Sequence, residues 1–295
     1  MKAGWKTHAI GRHLVDVPGD AKLIESYKFN KVEVEPLPEI KTKARFDLLV
    51  SEREREMRAV KPKTKGSFIE RVPHADGSVT LISWDWKEGF TFETYFRAGT
   101  STLKYVGDVS DDRKQAALDR RERYAQEWRE LRPGEIPEGI GFVAGNMILA
   151  DNRFNQESWS LSVALAGKPD VGLYLSAYTQ SKVEPGLRQR AGGILTGMLG
   201  LGLGLVRLRN RERPVGPIWA EEILVAGTQN GKRGYGFKWE APGKADSLTE
   251  PQINITLEVR ESAYPTNAQS FANDEEALAL WDAIVDSIRL RPGAA

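Results

Sequence analysis

Three histidines, His8, His13 and His74, are the only side chains in the sequence that exchange a proton near neutral pH without help from their surroundings. What they can do depends on what stands near them. A lipase-type nucleophile needs Gly-x-Ser-x-Gly, because the serine must sit on a tight strand-to-helix turn. No such string occurs, and Ser101, Ser158 and Ser160 fall in strand-like or turn-like stretches without flanking glycines in register. His8 and His13 are five apart, on opposite sides of a strand and poorly set on a helix, so they make no strong metal pair. There is no cysteine, which excludes disulfides, thiolate metal sites and a cysteine nucleophile. GLGLG at 200–204 lacks the third-glycine spacing of a dinucleotide loop and the Lys-Ser/Thr of a phosphate loop. DVSDD at 108–112 has too few ligands for calcium and reads as the cap of a following helix. Of the paired acids Glu221–Glu222 and Glu275–Glu276, the second has a simpler use at a helix start. The expectation is a chain without catalytic residues, metal or cofactor.

The elements that would position any site point to two domains, the natural division of 295 residues. Forty-two basic against 41 acidic residues leave +1, a balance that favours neither nucleic acid nor an anionic membrane as a general partner. The apolar run 191–206 has sixteen uncharged residues, six of them glycine. It falls short of the ~20 that a spanning helix needs, so it reads as a close-packed helix or a glycine-rich connection.

Alternation around Ile10, His13–Leu14 and Val15–Val17 predicts a strand at 9–17, and Val32, Val34 and Leu37 predict another at 31–37. A charged helix follows over 39–59, where Glu54 and Arg58 can pair across one turn. Strands at 66–72, 78–86 and 90–98 form a meander with turns at ADG and KEG, and a helix covers 111–131. RPGEIPEGIG at 132–141 is the best linker. After it the order of elements repeats: strands at 141–149, 157–165 and 171–179, a helix candidate in 187–208, strands near 218–226, 233–240 and 252–260, and a closing helix. The expected fold is therefore α+β, with two similar modules, 1–132 and 133–295, each an antiparallel sheet with helices packed on one face.

The closing helix, 274–289, is the clearest element. Asn273 can cap it with Glu276 three residues on, and Ala277, Leu278, Trp281, Ile284, Val285 and Ile288 make one apolar face. Trp281 reads as core. Pro292–Gly293 stop the chain from continuing.

Strings along nearly the whole chain, in this order and spacing, resemble the periplasmic immunity proteins that protect bacteria from type VI secretion lipase effectors. They are GRHLVDVP at 11–18, EIPEGIGFVAGNMI at 135–148, KPDVGLYLSAY at 168–178, RNRERPVGPIWAEEILVAG at 209–227, GFKWEAPG at 236–243 and the tail EALALWDAIVDSIRLRPG. The resemblance implies a two-domain inhibitor without catalytic activity. It would bind its cognate phospholipase effector one to one in the periplasm, the two domains forming a claw around the enzyme's lid region. Family members often carry cysteine where this chain has Ala9 and Val143, which puts a conserved bridge in doubt, and the family's secretory leader is missing here. Candidate partner-binding residues at turns and sheet ends are Trp86, Lys87, Glu88, Phe90, Arg153, Phe154 and Trp219, with core burial the competing reading for Trp86 and Trp219. Two rivals remain: a hydrolase using His13 or His74 with a serine and a buried carboxylate, and an envelope scaffold or lipid-binding protein using 191–206.

Overall fold

A computed structural model describes residues 2–85, 89–191, 205–229, 232–259 and 270–295. In chain order, β1 (Trp5–Ile10) and β2 (His13–Pro18) form a hairpin, followed by β3 (Lys22–Phe29), β4 (Val32–Pro36) and α1 (Lys43–Ala59). A meander of β5 (Phe68–Pro73), β6 (Val79–Trp84), β7 (Gly89–Ala98) and β8 (Ser101–Ser110) leads to α2 (Lys114–Glu127) and β9 (Trp128–Glu130). A second hairpin, β10 (Phe142–Ala144) and β11 (Met147–Leu149), precedes β12 (Ser158–Ala164) and β13 (Val171–Tyr178). Another meander runs through β14 (Leu205–Glu212), β15 (Glu221–Gln229), β16 (Lys232–Ala241) and β17 (Gln252–Val259). The chain closes with α3 (Asp274–Val285) and β18 (Arg289–Leu290).

Two compact units result: Met1–Glu25 with Phe154–Ala295, and Ser26–Arg153. Within the second, the strand order is β3-β4-β8-β7-β6-β5; within the first, β12-β13-β17-β16-β15-β14. Numbered within each half, both orders are 1-2-6-5-4-3. The small sheets match as well, β1-β2-β18 in one unit and β10-β11-β9 in the other. In each, a glycine with positive φ (+56° at Gly11, +55° at Gly145) turns the hairpin, a conformation that costs glycine little. In each, the residue after the closing strand donates its N–H to the turn carbonyl: Arg291 to Arg12 and Leu131 to Asn146, both at 2.8 Å. The two halves of the sequence are thus one topology twice, with the hairpins exchanged. The hairpin that precedes each six-stranded sheet in sequence pairs with the closing strand of the other half. That is why the compact units do not follow the 132/133 division drawn from the sequence.

The α+β class with antiparallel sheets holds. The helices expected on one face take both faces. In the Ser26–Arg153 unit, Phe46, Val50 and Met57 of α1 pack with Val79, Leu81 and Tyr95, while Ala117 of α2 packs with Ile82, Phe90 and Phe92. Successive strand residues point to opposite faces, and Val79 through Ser83 are all buried. A sheet that is apolar on both sides needs a cover on both. The other unit repeats this. Trp281 of α3 meets Phe237 at 5.6 Å on one face. On the opposite face, helical residues 187–191 hang from the sheet through the Arg188 N–H bond to Glu221 at 2.8 Å and the Arg190–Glu240 pair.

Other boundaries move for local reasons. The single strands expected at 9–17 and 141–149 are tight hairpins. The helix starts after Thr42, whose hydroxyl accepts from Arg45 N at 3.2 Å, and Arg58 does reach Glu54 at 2.8 Å. The stretch at 108–112 does not cap α2 with a side chain; a single 3-10 turn, Asp111–Arg113, leads into it. Of the helix candidate at 187–208, residues 192–204 lie outside the described residues and Leu205 onward is β14. Asn273 caps α3 through Glu276 N at 2.8 Å, and Trp281 is fully buried.

Candidate functional site

His74 comes nearest to a reactive arrangement. It stands just after β5, and its Nδ1 lies 2.7 Å from Glu122 of α2 while its Nε2 lies 2.8 Å from the Thr80 hydroxyl. Carboxylate, imidazole and hydroxyl are in the order a nucleophile requires. Their surroundings decide otherwise. Thr80 is fully buried and shares its hydroxyl with Thr94 at 2.8 Å, and Thr94 accepts Arg121 Nε at 2.9 Å. An attacking oxygen must reach substrate, and this one is walled in by β7 and α2. The chain of bonds fastens the β5–β6 turn to α2 and satisfies buried polar atoms. The bond from His74 also holds the Glu122 carboxyl below its ordinary pKa.

The other histidines serve packing and ion pairing. His13 is buried against the Trp159 indole at 5.7 Å, and burial, reinforced by Arg12 and Arg291, lowers its pKa to about 3. It is neutral at physiological pH. His8 on β1 meets the Glu25 carboxylate of β3. Among the described residues, no three histidines and acids gather closely enough to hold a metal, and no described helix is long and apolar enough to cross a membrane.

The corresponding place in the other unit, the β14–β15 turn and α3, is built from permanent charges. Arg213, just past β14, reaches Glu222 and Asp282 at 2.6 Å each and Asp286 at 2.8 Å. Asp282 sits 160 residues after Glu122, in the same place on its helix as Glu122 on α2. Burial works against the Arg213 charge; the surrounding carboxylates more than offset it and hold its pKa above the ordinary value. Glu222, fully buried, also accepts Trp281 Nε1 at 2.8 Å and Arg211 Nε at 3.1 Å. A buried charge that lost these partners would be costly, so the hub fixes where β14 ends.

From that hub the chain projects a short tip, Arg213–Ala220. Arg213 N–H donates to Ala220 O at 2.8 Å, and Trp239 Nε1 donates to Arg213 O at 2.9 Å. At the end, Val215 and Ile218 exchange two backbone bonds of 2.9 and 3.0 Å around Gly216 and Pro217. Trp219 stands on this tip with 48% of its surface exposed. The core reading of Trp219 gives way to exposure, because the turn carries it past the end of the sheet.

The remaining sequence candidates fare differently. Phe90 is buried on β7 between Trp84 and Phe92, with Lys114 over its ring at 5.3 Å, so it supports the sheet. Arg153 is tied to Asp151 at 2.9 Å and Glu127 at 3.1 Å. Phe154 is 42% exposed. Trp86, Lys87 and Glu88 lie outside the described residues. The sequence reading noted Glu221–Glu222 as a weak acid pair but missed that Glu222 joins Arg213 and Asp282; alternating arginines at 207–213 opposite that pair were the available signal.

Comparison with known proteins gives the following. The model of the Tle cognate immunity protein 4 N-terminal domain matches residues 6–136, and that of the C-terminal domain matches residues 135–293. The chain is similar to the apo immunity protein TplEi of the type VI secretion system of Pseudomonas aeruginosa, at 34% identity over 100% of this chain and 99% of that one (TM-score 0.92). It is similar to a chain of the Tle4–Tli4 complex, at 33% identity over the whole of both (TM-score 0.93). TplEi bound to an "L" peptide matches at 33% identity over 99% of this chain and 100% of that one (TM-score 0.89). Among curated proteins nothing matches.

Proposed function

The chain belongs to the Tle cognate immunity protein 4 family, and we propose that it binds and inhibits a cognate type VI secretion phospholipase effector, one inhibitor to one enzyme. The observation that carries this is the match over the full length of both chains to the partner-bound relative in the Tle4–Tli4 complex. The protein stops turnover by occupying the region of the lid, so that the enzyme is held in a conformation closed to lipid. It does this in the periplasm, protecting the producing cell and its kin. We read it as an inhibitor without a reaction of its own, a reading supported by the His74 carboxylate–imidazole–hydroxyl series, which among the described residues ends on a buried threonine. Lasting protection needs slow dissociation, which favours an interface of about 1,600 Å² or more with aromatic and arginine anchors near its centre. Trp219, Phe154 and Arg153 are the described candidates for that role. The halves 1–132 and 133–295 are the inherited modules, assembled into two units by exchange of their hairpins. Phospholipid hydrolysis by the cognate effector, measured against increasing amounts of this protein, tests the reading. It requires inhibition that saturates at equal molar amounts; full activity at molar excess rejects it.

A further inference from the structure

We propose that the buried Arg12–Glu157 pair is the key that sends the first hairpin, 5–18, to the closing strand of the second half, and so decides the exchange of hairpins.

By backbone the two hairpins are equivalent. Leu14 faces Arg289 as Ile148 faces Arg129. The residue after each turn glycine, Arg12 or Asn146, accepts the N–H that follows the closing strand. Backbone pairing alone therefore gives neither closing strand a reason to take one hairpin over the other. The turn residues differ. Asn146 is exposed, whereas Arg12 is 1% exposed. Arg12 Nε and Nη2 donate to the two carboxylate oxygens of Glu157 at 2.6 and 3.1 Å, and Nη1 donates to the Ala294 carbonyl. These bonds join residues 145 and 282 positions apart. Glu157 stands just before β12 and is 5% exposed.

A buried carboxylate is costly without a cation beside it, and only the first hairpin carries a cation at its turn. Were 142–149 to dock on β18 instead, Asn146 would bring Glu157 no charge. Were 5–18 to dock on β9, Arg12 would stand at the exposed place of Asn146 and Glu157 would be left behind. Either error strands the same carboxylate, so Glu157 does the selecting. Removing one member of a buried pair is strongly destabilising, while replacing both by uncharged side chains of similar volume is often neutral. The pair thus contributes little net stability and much discrimination between hairpins.

The chain has no cysteine, so an engineered disulfide reports pairing without background. Residues that face each other across antiparallel strands lie within reach of a disulfide. Leu14→Cys with Arg289→Cys closes when the first hairpin is on β18; Leu14→Cys with Arg129→Cys closes when it is on β9. The full-length chain is refolded from urea in glutathione buffer, and the closed fraction of each reporter is read by peptide mass mapping. In the otherwise wild-type chain the 14–289 reporter should close and the 14–129 reporter should stay open. Arg12→Met alone should lower the midpoint of thermal unfolding by about 10 °C. Adding Glu157→Met should return the midpoint to within ~3 °C of wild type, while closure at 14–129 rises about tenfold or more. Arg12→Gln with Glu157→Gln, equally uncharged, should give the same rise and covers the case in which methionine does not pack. Closure at 14–129 in the wild-type chain would show that the pair does not select. Closure that stays at the wild-type level in both uncharged pairs would overturn the proposal. So would a midpoint as low in both uncharged pairs as in Arg12→Met, because the pair would then serve stability alone.

Discussion

Replacing Trp281 by alanine should unfold one unit and take the first eighteen residues of the chain with it. Trp281 is fully buried on α3, tilted 69° to Phe237 at 5.6 Å, and its Nε1 donates to Glu222 at 2.8 Å. Truncating a buried indole costs about 3–5 kcal/mol in lost contacts and residual cavity. Glu222 retains Arg213 and Arg211, so the missing indole bond adds only about 1 kcal/mol. A total near 5 kcal/mol is a large part of the 5–15 kcal/mol that holds typical domains folded. The assay is hydrogen exchange by mass spectrometry on the full-length protein. Amides of β12–β17 should lose protection, and those of residues 5–18 should lose it with them, because β2 pairs with β18 directly after α3. The hairpin at 142–149 should stay protected, since its partner is β9. Trp281→Phe keeps most of the packing and should cost about 1–2 kcal/mol, mainly the hydrogen bond. If residues 5–18 stay protected in Trp281→Ala, or if 142–149 open together with β12–β17, the exchange of hairpins does not govern how the units come apart.

Two further outcomes follow from the same geometry. His13 has its pKa lowered from 6.5 to about 3 by burial, with Arg12 and Arg291 adding to it. The unfolded chain binds this proton below pH 6.5 and the native state does not, so stability is full above 6.5 and falls by about 1.4 kcal/mol per pH unit towards pH 3. His13→Gln should flatten that part of the profile in urea unfolding, and parallel profiles for the two proteins would contradict the assignment. Gly11 and Gly145 share the same positive φ, so alanine at either carries the same backbone cost of about 1–2 kcal/mol. A Cβ on Gly11 would also overlap the Trp159 indole, whereas one on Gly145 only grazes Pro36 at 3.0 Å. Gly11→Ala should therefore lower the midpoint of thermal unfolding distinctly more than Gly145→Ala; equal shifts would mean that the indole gives way freely.

Local pattern was enough for the elements whose signals lie within a few residues. α3 is written in Asn273, Glu276 and its apolar stripe, and the β5–β7 meander in strand-like runs set off by turn strings. The paired strands at 5–18 and 142–149 read as single strands because alternation resumes so soon after the two-residue turns at Gly11 and Gly145. Their partners could not be read locally, since Leu14 pairs with Arg289 and Met147 with Glu130. The string Leu-Arg-Pro-Gly occurs at 131–134 and again at 290–293, at the end of each closing strand. Which hairpin each closing strand accepts is settled by long-range burial. The same is true of Trp219 and Trp239, two indoles near the ends of one hairpin. One is exposed on a turn and the other buried with its N–H on Arg213 O. Residue type dictated that each indole would favour apolar cover, and only the packing of strands and helices determined that Trp239 finds it within the chain while Trp219 stays exposed on its turn.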